Sequence, residues 1–229
     1  MTTSTPPSPD PTTDKPPRPR RWIPLSLRMF ALLLFLATPC HVRCEEPPEP
    51  IVLGLHFGSV NAVAFSPDGK ALLTGDGKFG TGDGTVRFWD VATWTEKQAE
   101  RYRHRNKITS LAYSADGTRL ASASLAEFLR PPELYIMDLM NRRMQGLPEN
   151  DIFATWCLAI SPDGKTLASA HDSGQVKLWN LPDVTLRSVL KGHSSRVLSI
   201  AFSPDGATLA SAELLGMVAV ELNRSPPMM

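Results

Sequence analysis

Three histidines, His56, His104 and His193, have the side chains best suited to hold a metal ion or to transfer protons in this sequence. A zinc site needs such nitrogen atoms about 2.0–2.1 Å from a single ion. Each of these histidines lies ten residues before the serine of a recurring turn, so the repeat places each in a separate structural unit. We therefore predict that they form structural hydrogen bonds, and that there is no metal site.

The loop that begins at Gly75 contains two further candidate motifs. Gly75–Gly80 fits the pattern GxGxxG, but a dinucleotide site needs this turn to open a helix, and here it joins two predicted strands. Asp76 and Asp83 lack the alternating oxygen ligands and the terminal glutamate of a calcium loop. We therefore predict no cofactor.

Cys157 is the one cysteine outside residues 1–50 and is a candidate nucleophile. It falls in the same repeat column as Ala62, Ser110 and Ser199, which favours a small buried residue, and a buried cysteine behaves as a small hydrophobe. The residues that recur in the repeat include no set of carboxylates, histidines or lysines that would converge at one catalytic site. The sequence thus predicts no catalytic residue and a protein that is not an enzyme.

The composition is typical of a folded domain and not of a nucleic-acid-binding protein. The 229 residues are 42% hydrophobic and 21% charged, and the formal net charge is +1. Phosphate binding needs a clear surplus of lysine and arginine, which this balance lacks. We therefore expect no nucleic-acid partner.

The first 50 residues differ in composition from the rest of the chain. After Met1, residues 1–21 consist of Pro, Thr, Ser and charged residues, so we predict a disordered tail. Residues 22–44 combine a basic flank with an uncharged run, Met29–Val42, which is typical of a signal peptide or a signal anchor. Residues 45–50 are interpreted as a linker.

This apolar segment leaves the location of the protein open. Cleavage near Ala37–Cys44 predicts export to the periplasm or the cell surface, whereas retention of residues 22–42 predicts a membrane tether. If Met29 is the true start and the segment is no signal, the protein is cytoplasmic.

Residues 51–222 contain four copies of one unit. A Ser-Pro-Asp-Gly turn marks each copy, with alanine replacing the proline in the second. In such a turn proline presets the backbone and glycine accepts a positive φ. The turn serines recur at intervals of 42 to 48 residues and are Ser66, Ser114, Ser161 and Ser203. A period of this length indicates a β-propeller or a solenoid.

Each copy is predicted to contain four strands. Apolar or small residues cover both faces of the strand before each turn, and a Leu-x-Ser or Leu-x-Thr pattern marks the strand after it. The third strand is clearest at Thr85–Asp90 and Gln175–Asn180, and the fourth at Thr185–Leu190. Four short antiparallel strands in about 40–45 residues are the blade of a β-propeller.

These residues resemble the WD-repeat family. The resemblance rests on the turns, the Leu-Ala-Ser strands and the pairs Trp89-Asp90, Trp179-Asn180 and Gly192-His193. It covers about residues 51–222 and implies an all-β fold, a partial β-propeller of about four four-stranded antiparallel blades. Residues 223–229 are predicted to be a disordered tail. The predicted blades are 51–97, 98–146, 147–190 and 191–222.

The resemblance also implies a structural network that joins a histidine, a serine or threonine, a turn aspartate and a tryptophan within each blade. Asp151 replaces the histidine in copy three, and Glu221 takes the tryptophan column of copy four. Because copies two and four lack the tryptophan, we expect softer blades there. The implied residues are His56, Thr74, Asp83 and Trp89 in copy one, His104 and Ser122 in copy two, Ser169, Asp172 and Trp179 in copy three, and His193 and Ser211 in copy four.

Copies one and two carry insertions before the third strand, and loops on a rigid scaffold commonly carry recognition. Arginine and aromatic side chains often anchor interfaces. We therefore predict a non-catalytic scaffold with a protein or peptide partner. The alternatives are a truncated docking or sensory fragment of a larger WD-repeat protein and an enzyme on a propeller scaffold. The candidate partner-binding residues are Lys78, Phe79, Phe128 and Arg130.

The number of blades leaves the state of the ring open. Ile51–Leu55 is predicted as a strand of the fourth type and Met217–Leu222 as one of the third type, which is the phasing that ring closure would use. An open ring would instead expose strand edges and favour self-association, and two chains would complete eight blades. A truncated gene is the remaining alternative.

Overall fold

The computed structural model describes most of the chain after residue 48. The described strands all lie in the second of two units into which the chain divides, residues 51–229. The predicted N-terminal tail, the signal or anchor segment and residues 223–229 lie outside the described residues. In the described part, no helix is long and apolar enough to cross a bilayer. The described residues are 49–54, 56–78, 83–126, 131–147 and 154–222.

The described strands form four antiparallel sheets that follow one another along the chain. The first sheet contains β1 (Ala62–Phe65), β2 (Ala71–Gly75), β3 (Gly84–Asp90), β4 (Thr95–Glu96) and β5 (Tyr102–His104). The second contains β6 (Ile108–Tyr113), β7 (Arg119–Ser124), β8 (Leu134–Asp138) and β9 (Arg143–Gly146). The third contains β10 (Thr155–Ile160), β11 (Thr166–His171), β12 (Val176–Asn180) and β13 (Thr185–Leu190). The fourth contains β14 (Val197–Phe202), β15 (Thr208–Glu213) and β16 (Val218–Leu222).

Four successive antiparallel sheets confirm the predicted all-β architecture, and the first and last sheets depart from the four-stranded plan. In the first sheet, β4 and β5 both pair with β3, and a short 3-10 helix, Gln98–Glu100, separates them. The fourth sheet has three strands in the described residues. The prediction of a strand from Ile51 is wrong for residues 51–54, which pair with no described strand and expose Ile51 and Val52.

The predicted turns connect the first two strands of every sheet. In the first turn, the Ser66 hydroxyl donates to Asp68 Oδ1 at 2.6 Å, and the same carboxylate oxygen accepts the Lys70 N–H at 3.1 Å. Gly69 closes the turn at φ 69°, a conformation that glycine adopts without steric cost. The same serine–aspartate hydrogen bond recurs in the other three turns, so local side chains set the register of each hairpin.

Apolar cores lie between neighbouring sheets and hold the sheets face to face. Between the first and second sheets, Val86 and Phe88 of β3 pack with Leu111 and Leu120 of the second sheet. Two further cores of the same kind lie between the second and third sheets and between the third and fourth sheets. Burial of this apolar surface is the main stabilising contribution to the stack.

Candidate functional site

The third sheet contains a buried chain of three polar side chains. Trp179 Nε1 donates to Ser169 Oγ at 2.9 Å, and the same hydroxyl lies 2.9 Å from His171 Nε2. His171 comes from β11 itself, two residues after Ser169, so both side chains lie on the same face of the strand. Asp151, which the sequence places in the histidine column, lies outside the described residues.

The first sheet has the same chain of contacts with a carboxylate added. Trp89 Nε1 donates to Thr74 Oγ1 at 2.9 Å, Thr74 Oγ1 lies 3.4 Å from His56 Nε2, and His56 Nδ1 lies 2.7 Å from Asp76 Oδ2. The carboxylate is therefore Asp76, and the prediction of Asp83 is corrected. Asp83 is exposed, whereas Asp76 follows Thr74 by two residues and is buried on the same side.

In the second sheet a glutamate from a loop takes the place of this aspartate. His104 Nε2 lies 2.9 Å from Ser122 Oγ, and His104 Nδ1 lies 3.4 Å from Glu133 Oε2. Glu133 also accepts the Arg105 N–H at 2.7 Å, so the carboxylate fixes the chain on both sides of the histidine. Burial lowers the pKa of His104 and outweighs the opposing effect of Glu133, so the imidazole is neutral near pH 7.

The fourth sheet repeats the arrangement with Glu213. His193 Nε2 lies 2.7 Å from Ser211 Oγ, and His193 Nδ1 lies 3.4 Å from Glu213 Oε2. Burial alone would raise the pKa of Glu213, but the backbone N–H groups of Ser195 and Ser194 donate to the carboxylate and hold its pKa below the ordinary value.

Asp172 takes part in a different cluster from the one predicted for it. Its carboxylate accepts the Trp156 Nε1–H at 3.2 Å and pairs with Arg196 Nε. The Arg196 guanidinium lies over the Trp156 ring, 4.3 Å from its centre, an arrangement that adds a cation–π attraction. Asp172 therefore joins β10 of the third sheet to the start of the fourth sheet and does not contact the Trp179 chain.

The order hydroxyl, imidazole, carboxylate in three of the sheets is also the order of a hydrolase triad. A nucleophile must be reachable by its substrate, and Ser122 is 1% exposed, Thr74 5% and Ser211 5%. In the first sheet the hydroxyl also accepts the Trp89 indole N–H, which engages its lone pair. These groups therefore have the geometry of structural hydrogen bonds in a dry setting and not of an exposed catalytic site.

The other candidate chemical groups also lie in structural settings. In the described part of the chain, no three His, Cys, Asp or Glu side chains converge as a metal site would require. Cys157 is a free thiol packed against the apolar core between the third and fourth sheets. Burial raises the pKa of the Cys157 thiol, which disfavours the nucleophilic thiolate.

A cleft of about 820 Å³ opens between the first and second sheets, at the end where the Ser-Pro-Asp-Gly turns lie. The Ser66–Lys70 turn and the segment around the 3-10 helix form one wall, and the Ala115–Gly117 turn forms part of the other. The apolar and aromatic residues that line it are Phe88, Tyr102, Tyr113, Met137 and Leu139. This volume and this lining match those of sites that hold a small molecule or a few residues of a peptide.

Charged side chains of both signs surround the apolar part of this cleft. The basic ones are Lys70, Lys97, Arg101 and Arg142, and the acidic ones are Asp68, Glu100 and Asp116. Hydrogen bonds from the turn serines lower the pKa values of Asp68 and Asp116, so both stay ionised near neutral pH. Burial raises the pKa of the Tyr113 phenol, with a further contribution from Glu100, so it remains a neutral donor. The cleft therefore offers an apolar anchor position beside charged side chains of both signs.

Lys78, the one described residue of the four predicted to bind a partner, does not line this cleft. Lys78 is exposed at the start of the first insertion. Phe79, Phe128 and Arg130 lie outside the described residues. The structure therefore leaves the predicted insertion loops untested and adds the cleft as a second candidate surface.

Sequence reasoning missed the cleft and the partners of the histidines, for different reasons. Asp76, His171 and Glu213 each lie two residues after the serine or threonine whose hydroxyl contacts the imidazole in the same sheet. Because alternate residues of a strand share a face, this spacing was an available signal. Glu133 comes from an insertion and has no such spacing. The cleft depends on the split of the first sheet's last strand into β4 and β5, for which the sequence holds no recognisable pattern.

Comparison with known proteins identifies the repeats. The family model described as "WD domain, G-beta repeat" matches four segments, which together make up more than half of the chain. The first, third and fourth segments each contain one complete Ser-Pro-Asp-Gly turn, and the second contains its alanine variant. The matched residues are 51–90, 96–125, 149–180 and 184–218.

Several curated proteins share these repeats over part of their length. The chain is 31% identical over 154 residues to "Periodic tryptophan protein 2 homolog" of Dictyostelium discoideum, which covers 63% of this chain and 15% of that protein. It is 29% identical over 134 residues to "Guanine nucleotide-binding protein subunit beta" of Nicotiana tabacum, covering 54% of this chain and 32% of that protein. The matched region is therefore a third or less of either relative.

Proposed function

This chain belongs to the WD-repeat family, and we propose that it is a non-catalytic scaffold that binds a segment of a partner protein in the cleft between its first two sheets. WD-repeat proteins generally act as protein-interaction scaffolds. The observation that carries the proposal is the cleft itself, which combines an apolar floor with a charged rim on a rigid pair of sheets. A peptide with one apolar side chain flanked by charges fits this chemistry.

The energetic argument for a peptide ligand follows from the lining residues. Tyr113, Met137 and Leu139 are half-buried and keep apolar surface that a ligand side chain can remove from water. Each such contact is worth about 25 cal/mol per Å² of apolar area buried. Arg101 and Arg142 are exposed on the rim, where paired charges give orientation and association rate more than affinity.

The proposal includes that this scaffold catalyses no reaction. Among the described residues, the ordered hydroxyl–imidazole–carboxylate chains are buried, and the cleft contains no cysteine or histidine. Hydrogen bonds from the turn serines lower the pKa values of Asp68 and Asp116 on its rim, and ionised carboxylates of this kind suit a binding surface.

Filling the cleft tests this proposal. Ala99 and Ala115 are exposed and line the cleft from opposite walls, so the variant Ala99→Trp/Ala115→Trp should occlude it without disturbing a core. Random peptides displayed on phage are selected on the immobilised full chain, and the affinity of the selected peptides is measured by titration. We expect the double variant to bind them about tenfold or more weakly, a loss of about 1.4 kcal/mol or more.

The matched control is Ala207→Trp, at an exposed turn position of the fourth sheet that does not line the cleft. It should bind the selected peptides as the unmodified chain does. Full affinity in the double variant would contradict the assignment to the cleft. A loss of affinity in Phe79→Ala/Phe128→Ala with an unchanged cleft variant would instead place the binding surface on the insertion loops.

The location of the scaffold is a separate part of the proposal. The basic flank and the apolar run in residues 22–44 support export or a membrane tether, and Met29 as the start supports a cytoplasmic protein. The mass of the purified protein distinguishes these alternatives, because cleavage near Ala37–Cys44 removes the tail and the apolar run together.

A further inference from the structure

The three interfaces between neighbouring sheets are built from the same columns of the repeat. We call the face of a sheet that packs on the following sheet its back face, and the face that packs on the preceding sheet its front face. Back faces are formed by the third strand of each sheet, as with Val86 and Phe88, and by Val176 and Leu178. Front faces are formed by the first two strands, and in the fourth sheet they include Ile200 and Leu209.

The front face of the first sheet is uncovered along β1. Val63 is 65% exposed and Phe65 59% exposed, whereas the residues in the Val63 column of the other sheets are almost fully buried. Those column residues are Leu111 at 9%, Leu158 at 5% and Ile200 at 6%. The first sheet therefore carries one half of a sheet–sheet interface without the other half in the described chain.

The fourth sheet has an uncovered back face of the complementary kind. Val218 is 65% exposed and Val220 67% exposed, although their repeat equivalents in the first sheet, Val86 and Phe88, are 0% and 4% exposed. The two uncovered faces of this chain are thus the two halves of the interface that occurs three times within it. A single chain carries both a surface and its complement.

We propose that a second copy of this chain docks on these faces, with the back face of each fourth sheet packed on the front face of the other chain's first sheet. Two such contacts related by a twofold axis would close a ring of eight sheets, twice the four sheets in the described residues of one chain. Propellers close with about four to eight blades, so this number is within the known range. The inference rests on the proposed scaffold function and names a second partner surface for it.

The segment before β1 supports this arrangement. Gly54 lies against the first sheet's front face, where an added Cβ would be 3.8 Å from the Trp89 ring, and Ile51 and Val52 are exposed beside it. In the third sheet β13 pairs with the outer edge of β12, but no described strand pairs with that edge of β16. In the ring, residues 51–54 of one chain would lie next to β16 of the other and offer it a partner strand.

Native mass spectrometry of the full chain tests the proposal. The expected species has twice the mass of the 25.1 kDa chain, less any processed N-terminal segment. Phe65→Glu disrupts the front face and Val220→Glu the back face, so each variant alone should be monomeric. An equimolar mixture of the two should form a dimer with one chain of each kind, because one of its two contacts remains intact.

The control Met140→Glu changes an exposed apolar residue in a turn of the second sheet that belongs to neither face, and it should stay dimeric. Val63→Glu is a second front-face variant, and circular dichroism verifies that each variant is folded. A monomeric unmodified chain, a dimer that survives both face variants, or a mixture that stays monomeric would each overturn the proposal. The cleft variants leave both faces unchanged, so a failure of this proposal can be told apart from a failure of the peptide-binding proposal.

Discussion

A serine or threonine hydroxyl is the centre of the polar contacts in every sheet. Thr74 and Ser169 each accept an indole N–H and also contact an imidazole, and Ser122 and Ser211 each contact an imidazole. Such buried groups are costly when unpaired, so each hydroxyl satisfies neighbours that would otherwise destabilise the sheet. In the structure these hydrogen bonds have the role of joining the strands and loops of each sheet.

Ser169→Ala tests this role at one position. The substitution leaves Trp179 Nε1–H and His171 without their shared partner in a buried setting, so we expect the free energy of unfolding to fall by about 1–3 kcal/mol. Urea unfolding followed by tryptophan fluorescence measures the change.

Ser173→Ala is the matched control for this substitution. In the described part of the chain the Ser173 hydroxyl is buried and no hydrogen-bond partner is present for it, so its removal should leave stability unchanged or slightly higher. Equal losses in Ser169→Ala and Ser173→Ala would show that the hydroxyl of Ser169 has no special role.

At this scale the sequence predicted the recurring residues better than their partners. Thr74, Trp89, Ser169 and Trp179 recur at fixed positions in the repeat, and the structure places each tryptophan against its hydroxyl. The carboxylates could not be assigned by the same rule, because an insertion supplies Glu133 in the second sheet. Where an insertion replaces a turn, the spacing that identifies a partner is lost.

Among the four sheets, the strands of the fourth sheet depart most from the repeat pattern. Glu221 on β16 pairs in register with Leu209, the position that Trp179 occupies opposite Leu167 in the third sheet. Burial raises the pKa of Glu221, which means that the charged form is less favourable in the folded chain than in the unfolded chain. An acid of this kind lowers stability as the pH rises through its folded pKa.

Glu221→Met is expected to stabilise the fourth sheet. Methionine already occupies this column in the second sheet as Met137, opposite Leu120, and it adds apolar contact where the carboxylate is poorly solvated. We expect the free energy of unfolding at neutral pH to rise by about 1 kcal/mol. The gain should shrink as the pH falls toward 4.5, where the wild-type carboxyl becomes protonated.

Glu49→Met is the control for this prediction, since Glu49 is exposed and lies outside the sheets. Urea unfolding of both variants across this pH range provides the comparison. The account of the fourth sheet fails if Glu221→Met is no more stable than Glu49→Met at neutral pH.

Element boundaries were predictable where side chains define them locally. The Ser-Pro-Asp-Gly turns carry their own hydrogen bonds, so the hairpins they connect follow from the sequence. The last strand of the first sheet is different, because the 3-10 helix interrupts it and β5 returns to pair with β3. That return depends on long-range pairing, which local patterns do not encode.

The four described sheets form a stack in which each sheet is stabilised by its neighbours. Repeat proteins of this kind leave their first and last units with fewer contacts, which matches the exposed Val63 and Val218 at the two ends. The period of the turns predicted the number of sheets. It could not predict the cleft or which apolar faces stay uncovered, because both depend on how whole sheets pack.

The central claim is that a partner protein occupies the cleft between the first two sheets. Site-specific photo-crosslinking tests it most directly, with p-benzoylphenylalanine placed at Ala99 inside the cleft and, in a separate chain, at Ala207 outside it. Irradiation of cells that produce each full chain should give a discrete adduct from position 99 that is absent from position 207. No adduct from position 99, or the same adducts from both positions, would contradict the account.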